Sequence, residues 1–139
     1  MLPFAVLVTT TALVRLTGAI GVEALDSWPA ALRVGFATML LLTASAHFSS
    51  RREWLVRMVP ARLPRPDLLV SATGVLELVG AVGLLIPATT VPAAVMLIGM
   101  MIAMFPANVR AARAGIATPL LPRTLMQIAF VAALTGAMG

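Results

Sequence analysis

The chain contains no cysteine. It therefore forms no disulfide, holds no thiolate-ligated metal and offers no thiol nucleophile. Histidine occurs once, at His47, which excludes a multi-histidine haem or zinc arrangement within one protomer. Any redox role falls to a bound cofactor or to groups supplied by a partner. Charge is also scarce: charged residues make up 11% of the sequence, against roughly 25% in an ordinary soluble domain. Lysine is absent, so all ten basic residues are arginines, set against five acidic residues.

What is present is apolar. Hydrophobic residues make up 60% of the 139 positions, and the mean hydropathy is +1.03. A soluble fold of this length has too little interior to hide so much apolar surface. The composition predicts an all-α integral membrane helical bundle, forming one membrane domain over residues 1–139. Five apolar segments can be drawn, at 2–22, 29–48, 68–86, 91–109 and 119–138. Each is close to the roughly 20 residues that a helix needs to cross a bilayer. The runs are long and lack period-two alternation, which favours helices over strands. Segment 2–22 has no basic leader and is interrupted by Arg15, so it reads as a span rather than a cleaved signal.

The connections separate by charge. Arg51, Arg52, Arg57, Arg62 and Arg65 lie between the second and third segments, and Arg110, Arg113 and Arg123 flank the link from fourth to fifth. The first link instead carries Glu23 and Asp26, and the third, Pro87-Ala88-Thr89-Thr90, carries no charge. Retention of arginine on the inner side of a membrane then predicts a cytoplasmic N-terminus and an external C-terminus. A pI of 11.8 would suit nucleic acid on a soluble fold, but here the arginines flank apolar spans. They read as topology signals and lipid-headgroup contacts, not as a nucleic-acid surface. Between Ser50 and Val59, the apolar Trp54, Leu55, Val56 and Met58 interleave with arginines, as in an amphipathic helix lying at the membrane interface.

The candidate chemistry lies in the few polar residues inside the spans. Glu77 falls about nine residues into its segment, near 14 Å deep at 1.5 Å per residue. A carboxyl at that depth persists only when paired, protonated or facing a polar cavity. His47 and Asn108 fall at the arginine-rich ends of the second and fourth segments, and Arg123 and Gln127 lie one helical turn apart at the start of the fifth. These depths predict that His47, Glu77, Asn108 and Gln127 converge on one pocket with Arg123 at its mouth. Glu77 and His47 are the candidate catalytic acid and base, and Asn108, Arg123 and Gln127 the candidate ligand-binding groups. Asn108 and Gln127 also suit hydrogen bonding between helices. Pro106 frees a backbone carbonyl one turn earlier that can line the same pocket, or else marks a helix end. Arg15 is expected to snorkel outward or to pair with Glu23 or Asp26, and the methionines around Met100 to serve as adaptable packing.

Several local patterns occur in a fixed order: Ala46-His47-Phe48, Met58-Val59-Pro60, Gly74-Val75-Leu76-Glu77-Leu78, Phe105-Pro106-Ala107-Asn108 and Pro122-Arg123-Thr124-Leu125-Met126-Gln127. Together they resemble the DoxX-like family of small bacterial membrane proteins, over about residues 32–133. The resemblance implies a four-helix core with one additional N-terminal transmembrane helix, in a bacterial inner membrane. It also implies a link to membrane redox complexes, although a shared fold does not transfer activity. Three functions remain open. The first is a redox-associated protein that binds a quinone or other lipophilic small molecule between its helices, alongside a redox partner subunit; such a ligand needs an apolar slot with one or two polar contacts. The second is an acid/base isomerase or hydrolase of a lipophilic substrate. The third is a non-catalytic membrane assembly or chaperone subunit.

The topology is directly testable. A cysteine introduced at Ser50 should resist an impermeant external label, while one at Thr89 should react. The reverse pattern would eliminate the proposed orientation.

Overall fold

The structure, a computed structural model, describes residues 1–139 throughout and is all-helical. Its helices are α1 (Leu2–Ala19), α2 (Trp28–His47), α3 (Arg52–Met58), α4 (Pro66–Leu85), α5 (Thr90–Arg113) and α6 (Leu120–Ala137). Five of them, all but α3, are long and apolar enough to cross a membrane, and the chain is a multi-pass membrane protein. Short 3-10 turns at Glu23–Leu25 and Pro87–Thr89 make two of the tight connections.

Local chemistry sets the boundaries. The Ser27 hydroxyl accepts the Ala30 amide and starts α2, with Pro29 in the first turn, where its missing N–H does no harm. α4 opens on Pro66 with Asp67 in its first turn, but without a side-chain cap from Arg65. Gly115, at φ 66, closes α5 in a left-handed conformation that glycine adopts freely. The first span ends at Ala19 rather than at residue 22, because Gly21 turns the chain at φ 127. Pro106 does not end α5: the helix runs through it to Arg113.

α2, α4, α5 and α6 form a ring in which each helix packs against its two neighbours, with α2–α4 the most extensive seam. Neighbours run antiparallel, as contacts between Thr43 and Glu77, Gly80 and Leu97, and Asn108 and Arg123 require. Phe36, Met39, Leu40, Leu84, Leu97 and Leu134 are fully buried at the centre. Helix α1 lies outside the ring along α2, and Phe4 meets Phe130 of α6. The observed bundle therefore has four ring helices plus one, the arrangement that the resemblance implied. Only 26 of the 139 residues are buried. The remaining apolar surface, including Leu13, Ile102, Leu121 and Ile128, faces outward and is suited to lipid rather than water.

The two ends of the bundle are held differently. At the arginine-rich end, α3 is docked rather than free. Met58 is buried, Trp54 donates its indole N–H to the Ile116 carbonyl at 3.0 Å, and Arg110 donates to the Val59 carbonyl. At the opposite end Arg15 pairs with Asp26 at 2.6 Å and lies over the Trp28 ring. Arg33, which the sequence pattern did not single out, donates to the carbonyls of Ala137 and Gly139 at 2.8 and 3.2 Å. The Ala137 carbonyl is one that the last turn of α6 leaves without a helical partner.

The α2–α4 seam depends on one glycine. A Cβ on Gly74 would lie 2.7 Å from the His47 Cβ and 2.9 Å from the Phe48 ring. Gly74→Ala should therefore lower the detergent melting temperature, at a cost of about 1–3 kcal/mol for overpacking. Gly99→Ala meets no atom within 4 Å and should stay within about 1 kcal/mol of the parent. Equal losses at both sites would show that close approach at Gly74 does not limit the seam.

Candidate functional site

His47 ends α2, yet α4 extends well past it, so the imidazole meets α4 more than a turn inside its start. There the ring is enclosed: His47 is 4% exposed and Glu77 7%. The His47 Nδ1 lies 2.8 Å from the Val70 carbonyl. A carbonyl only accepts, so Nδ1 carries a proton and Nε2 faces α4's carboxyl. Nε2 lies 3.3 Å from Glu77 Oε1, within ion-pair reach. The second carboxyl oxygen, Oε2, accepts the Thr43 hydroxyl at 2.7 Å. The Thr73 hydroxyl adds a contact 3.2 Å from Nδ1. Arg52, from the first turn of α3, closes the cluster from above. It donates to the His47 carbonyl at 3.0 Å, the Asp67 carbonyl at 2.8 Å and the Ser71 hydroxyl at 2.9 Å.

The other sequence candidates form a second group, on the α5–α6 seam. Arg123 donates to the Asn108 side-chain carbonyl at 2.7 Å and to the Thr118 hydroxyl at 3.1 Å. Gln127 donates to the Met101 carbonyl at 3.2 Å. That carbonyl is the residue before Ile102, whose own carbonyl lacks the N–H that Pro106 cannot supply. All three side chains are half-buried. No acidic side chain forms an ion pair with Arg123; the chain's ion pairs are Arg15–Asp26 and His47–Glu77.

The expected common pocket thus resolves into two hydrogen-bonded groups. No hydrogen bond joins His47 and Glu77 to Asn108, Arg123 or Gln127. The reason is the ring: the α2–α4 seam lies across it from the α5–α6 seam, and His47 and Thr43 already meet the carboxyl from the adjacent helix. Sequence reasoning missed Thr43, Thr73, Arg52 and Thr118. The first two carried a readable signal. Thr43 lies four residues before His47, and Thr73 four before Glu77, which sets each pair on one helix face.

Two clefts stand out in the surface. One, of about 790 Å³, lies between residues 60–62 and the last turns of α5. The other, of about 590 Å³, is an apolar groove between α4 and α5 in the opposite half, with Leu78, Val82 and Met96 among its walls. Neither is lined by any of the five candidate residues.

A family model described as a domain of unknown function (DUF8561) matches residues 36–134, and the chain belongs to that family. The match runs from within α2 to within α6 and so covers the ring while leaving α1 outside. No curated protein and no solved structure matches the chain.

The coupling across the α2–α4 seam is measurable. Glu77→Leu removes the acceptor shared by Thr43 and His47 and should cost about 1–3 kcal/mol. Glu77→Gln keeps an acceptor oxygen and should cost less. In a double-mutant cycle with His47→Phe, the two losses should depart from additivity by about 1 kcal/mol. Strictly additive losses would mean that the two side chains do not act together.

Proposed function

We propose that this member of the family is a non-catalytic subunit of a membrane assembly, in which polar residues lock the bundle and a lipid-facing side meets a partner protein. The observation behind this reading is that every candidate polar side chain is engaged by a neighbouring helix. His47 and Glu77 meet each other, Asn108 holds Arg123, and Gln127 holds the Met101 carbonyl. A general acid or base must come within about 3 Å of the atom it serves. Neither of the two described clefts reaches the buried His47–Glu77 pair. α1 and α6 have the least buried spans, 17% and 11%, so their outward faces are the natural contact for a partner.

The likeness to DoxX-like proteins belongs to this proposal and rests on the order of the motifs around His47, Glu77, Asn108 and Arg123. It favours a partner from a membrane redox complex. We also propose a bacterial inner membrane, with the arginine-rich end and the N-terminus in the cytoplasm, on the strength of the charge asymmetry between connections.

One observation favours a second reading, in which a quinone or other lipophilic molecule binds at the α5–α6 seam. Arg123 is a half-buried cation bonded only to neutral acceptors, and such a guanidinium attracts an anionic or carbonyl-bearing head. Extraction with native lipids, followed by mass spectrometry of co-purified proteins and small molecules, separates the two. The assembly reading expects a protein partner, retained by the Glu77→Gln variant. A stoichiometric quinone that disappears in Arg123→Gln would replace it with the ligand reading. Loss of cellular function in a well-folded Glu77→Gln variant would instead restore an acid/base role.

A further inference from the structure

The cleft at the arginine-rich end is unrelated to the groups above, because it uses another face of α5. Asn108 and Met101 turn toward α6, while Phe105, Pro106, Arg110 and Arg113 turn toward residues 60–62. The cleft walls are apolar at Pro60, Phe105 and Pro106, and three guanidiniums surround them, from Arg62, Arg110 and Arg113. None of these arginines has an acidic partner. Arg110 donates to the Val59 carbonyl, which ties the 60–62 strap to α5 and holds one guanidinium at the cleft. Arg113 is the last residue of a span-length helix, so the cationic rim lies at headgroup level while Phe105 and Pro106 lie two turns deeper.

We infer that this cleft is a binding site for an anionic phospholipid whose headgroup carries two phosphates. Guanidinium forks hold phosphate oxygens in paired hydrogen bonds. Three cations match two phosphates better than they match one phosphodiester, and basic pockets at the cytoplasmic ends of transmembrane helices take such headgroups. The Phe105–Pro106 wall receives the start of an acyl chain, which a soluble phosphate compound does not have. The inference stands on the cleft alone and does not depend on the assembly reading.

The test uses the full chain in phosphatidylcholine nanodiscs, titrated with cardiolipin and read by native mass spectrometry. Two variants of equal net charge are compared: Arg62→Gln with Arg113→Gln, and Arg51→Gln with Arg57→Gln. All four arginines are exposed, and the second pair lies at the same end but outside the cleft. Each cleft guanidinium that loses its hydrogen bonds to a phosphate should cost roughly fivefold, so the cleft pair should bind cardiolipin roughly 30-fold more weakly. The control pair, which loses only screened surface attraction, should bind within about threefold of the parent. Circular dichroism and the melting temperature verify that both variants fold, and Arg113→Gln alone, expected to lose roughly fivefold, serves if the double variant does not. Equal weakening by both pairs would reduce the effect to diffuse attraction and overturn the site. Displacement of cardiolipin by millimolar inorganic pyrophosphate would overturn the lipid assignment in favour of a soluble phosphate ligand.

Discussion

A carboxyl inside a bilayer must be matched, and the α2–α4 seam is organised around that requirement. Glu77 has two oxygens, and both are met from the neighbouring helix, by His47 and by Thr43. His47 in turn needs an acceptor for its second nitrogen, which the Val70 carbonyl supplies. Because α2 ends at His47 while α4 continues, Arg52 can reach over the imidazole, cap the last carbonyl of α2 and tie it to the Asp67 carbonyl in the first turn of α4. The chain of contacts then passes through Arg52 into α3, whose Trp54 reaches the turn after α5. One intramembrane carboxyl thus fixes the register of α2 against α4, and the arginine that covers it ties that register to the docked helix α3. In lipid there is no hydrophobic force between apolar helices, so close packing and polar contacts of this kind carry more of the specification than they do in water.

Small residues make those polar contacts geometrically attainable. Gly74 lets the α2 backbone approach until the imidazole meets α4 at Val70 and Glu77. Glu77 lies three residues further along the same face. On the α4–α5 seam, a Cβ on Gly80 would lie 2.6 Å from the Leu97 side chain and one on Gly83 2.7 Å from the Ala93 Cβ, so that seam is closed by shape, with polar contacts at its outer end where the Thr89 and Thr90 hydroxyls donate to the Gly83 and Leu84 carbonyls. Gly74 and Glu77 face α2, whereas Gly80 and Gly83, carried round the helix by the three-residue spacing, face α5.

Much of the architecture was legible in the sequence, because a 20-residue apolar run has few other uses and arginine-rich connections alternate with arginine-free ones. The position of the polar centre was legible too, since Glu77 interrupts the most apolar run. Its partners were harder to read. Thr43 and Thr73 look like ordinary small helix residues until the seam that joins them is known, and only their four-residue spacing from His47 and Glu77 hints at a shared face. Arg33 gave no signal at all, because its partners are backbone carbonyls of α6, and carbonyls have no residue identity. Depth alone could not separate the two polar groups: helix rise gives height along the membrane normal, whereas the ring order that sets α2–α4 across from α5–α6 is a lateral property. The expectation that His47, Glu77, Asn108 and Gln127 converge on one pocket rested on one dimension of three.

The two seams also differ in charge, and that difference bears on what each can do. The α2–α4 group sets its acid beside a base within ion-pair reach and is covered by Arg52, so its charged and polar groups are matched among themselves. The α5–α6 group contains a guanidinium among amide, hydroxyl and carbonyl acceptors, and arginine does not shed its charge to suit a poor solvent. It therefore keeps an outward electrostatic pull that the first group lacks. The same holds more strongly for the cleft on the other face of α5, where three such groups gather without one carboxylate. Whatever anionic matter this protein meets in the membrane will be drawn to α5 and its arginines rather than to Glu77, although Glu77 is the residue that most stands out in the sequence.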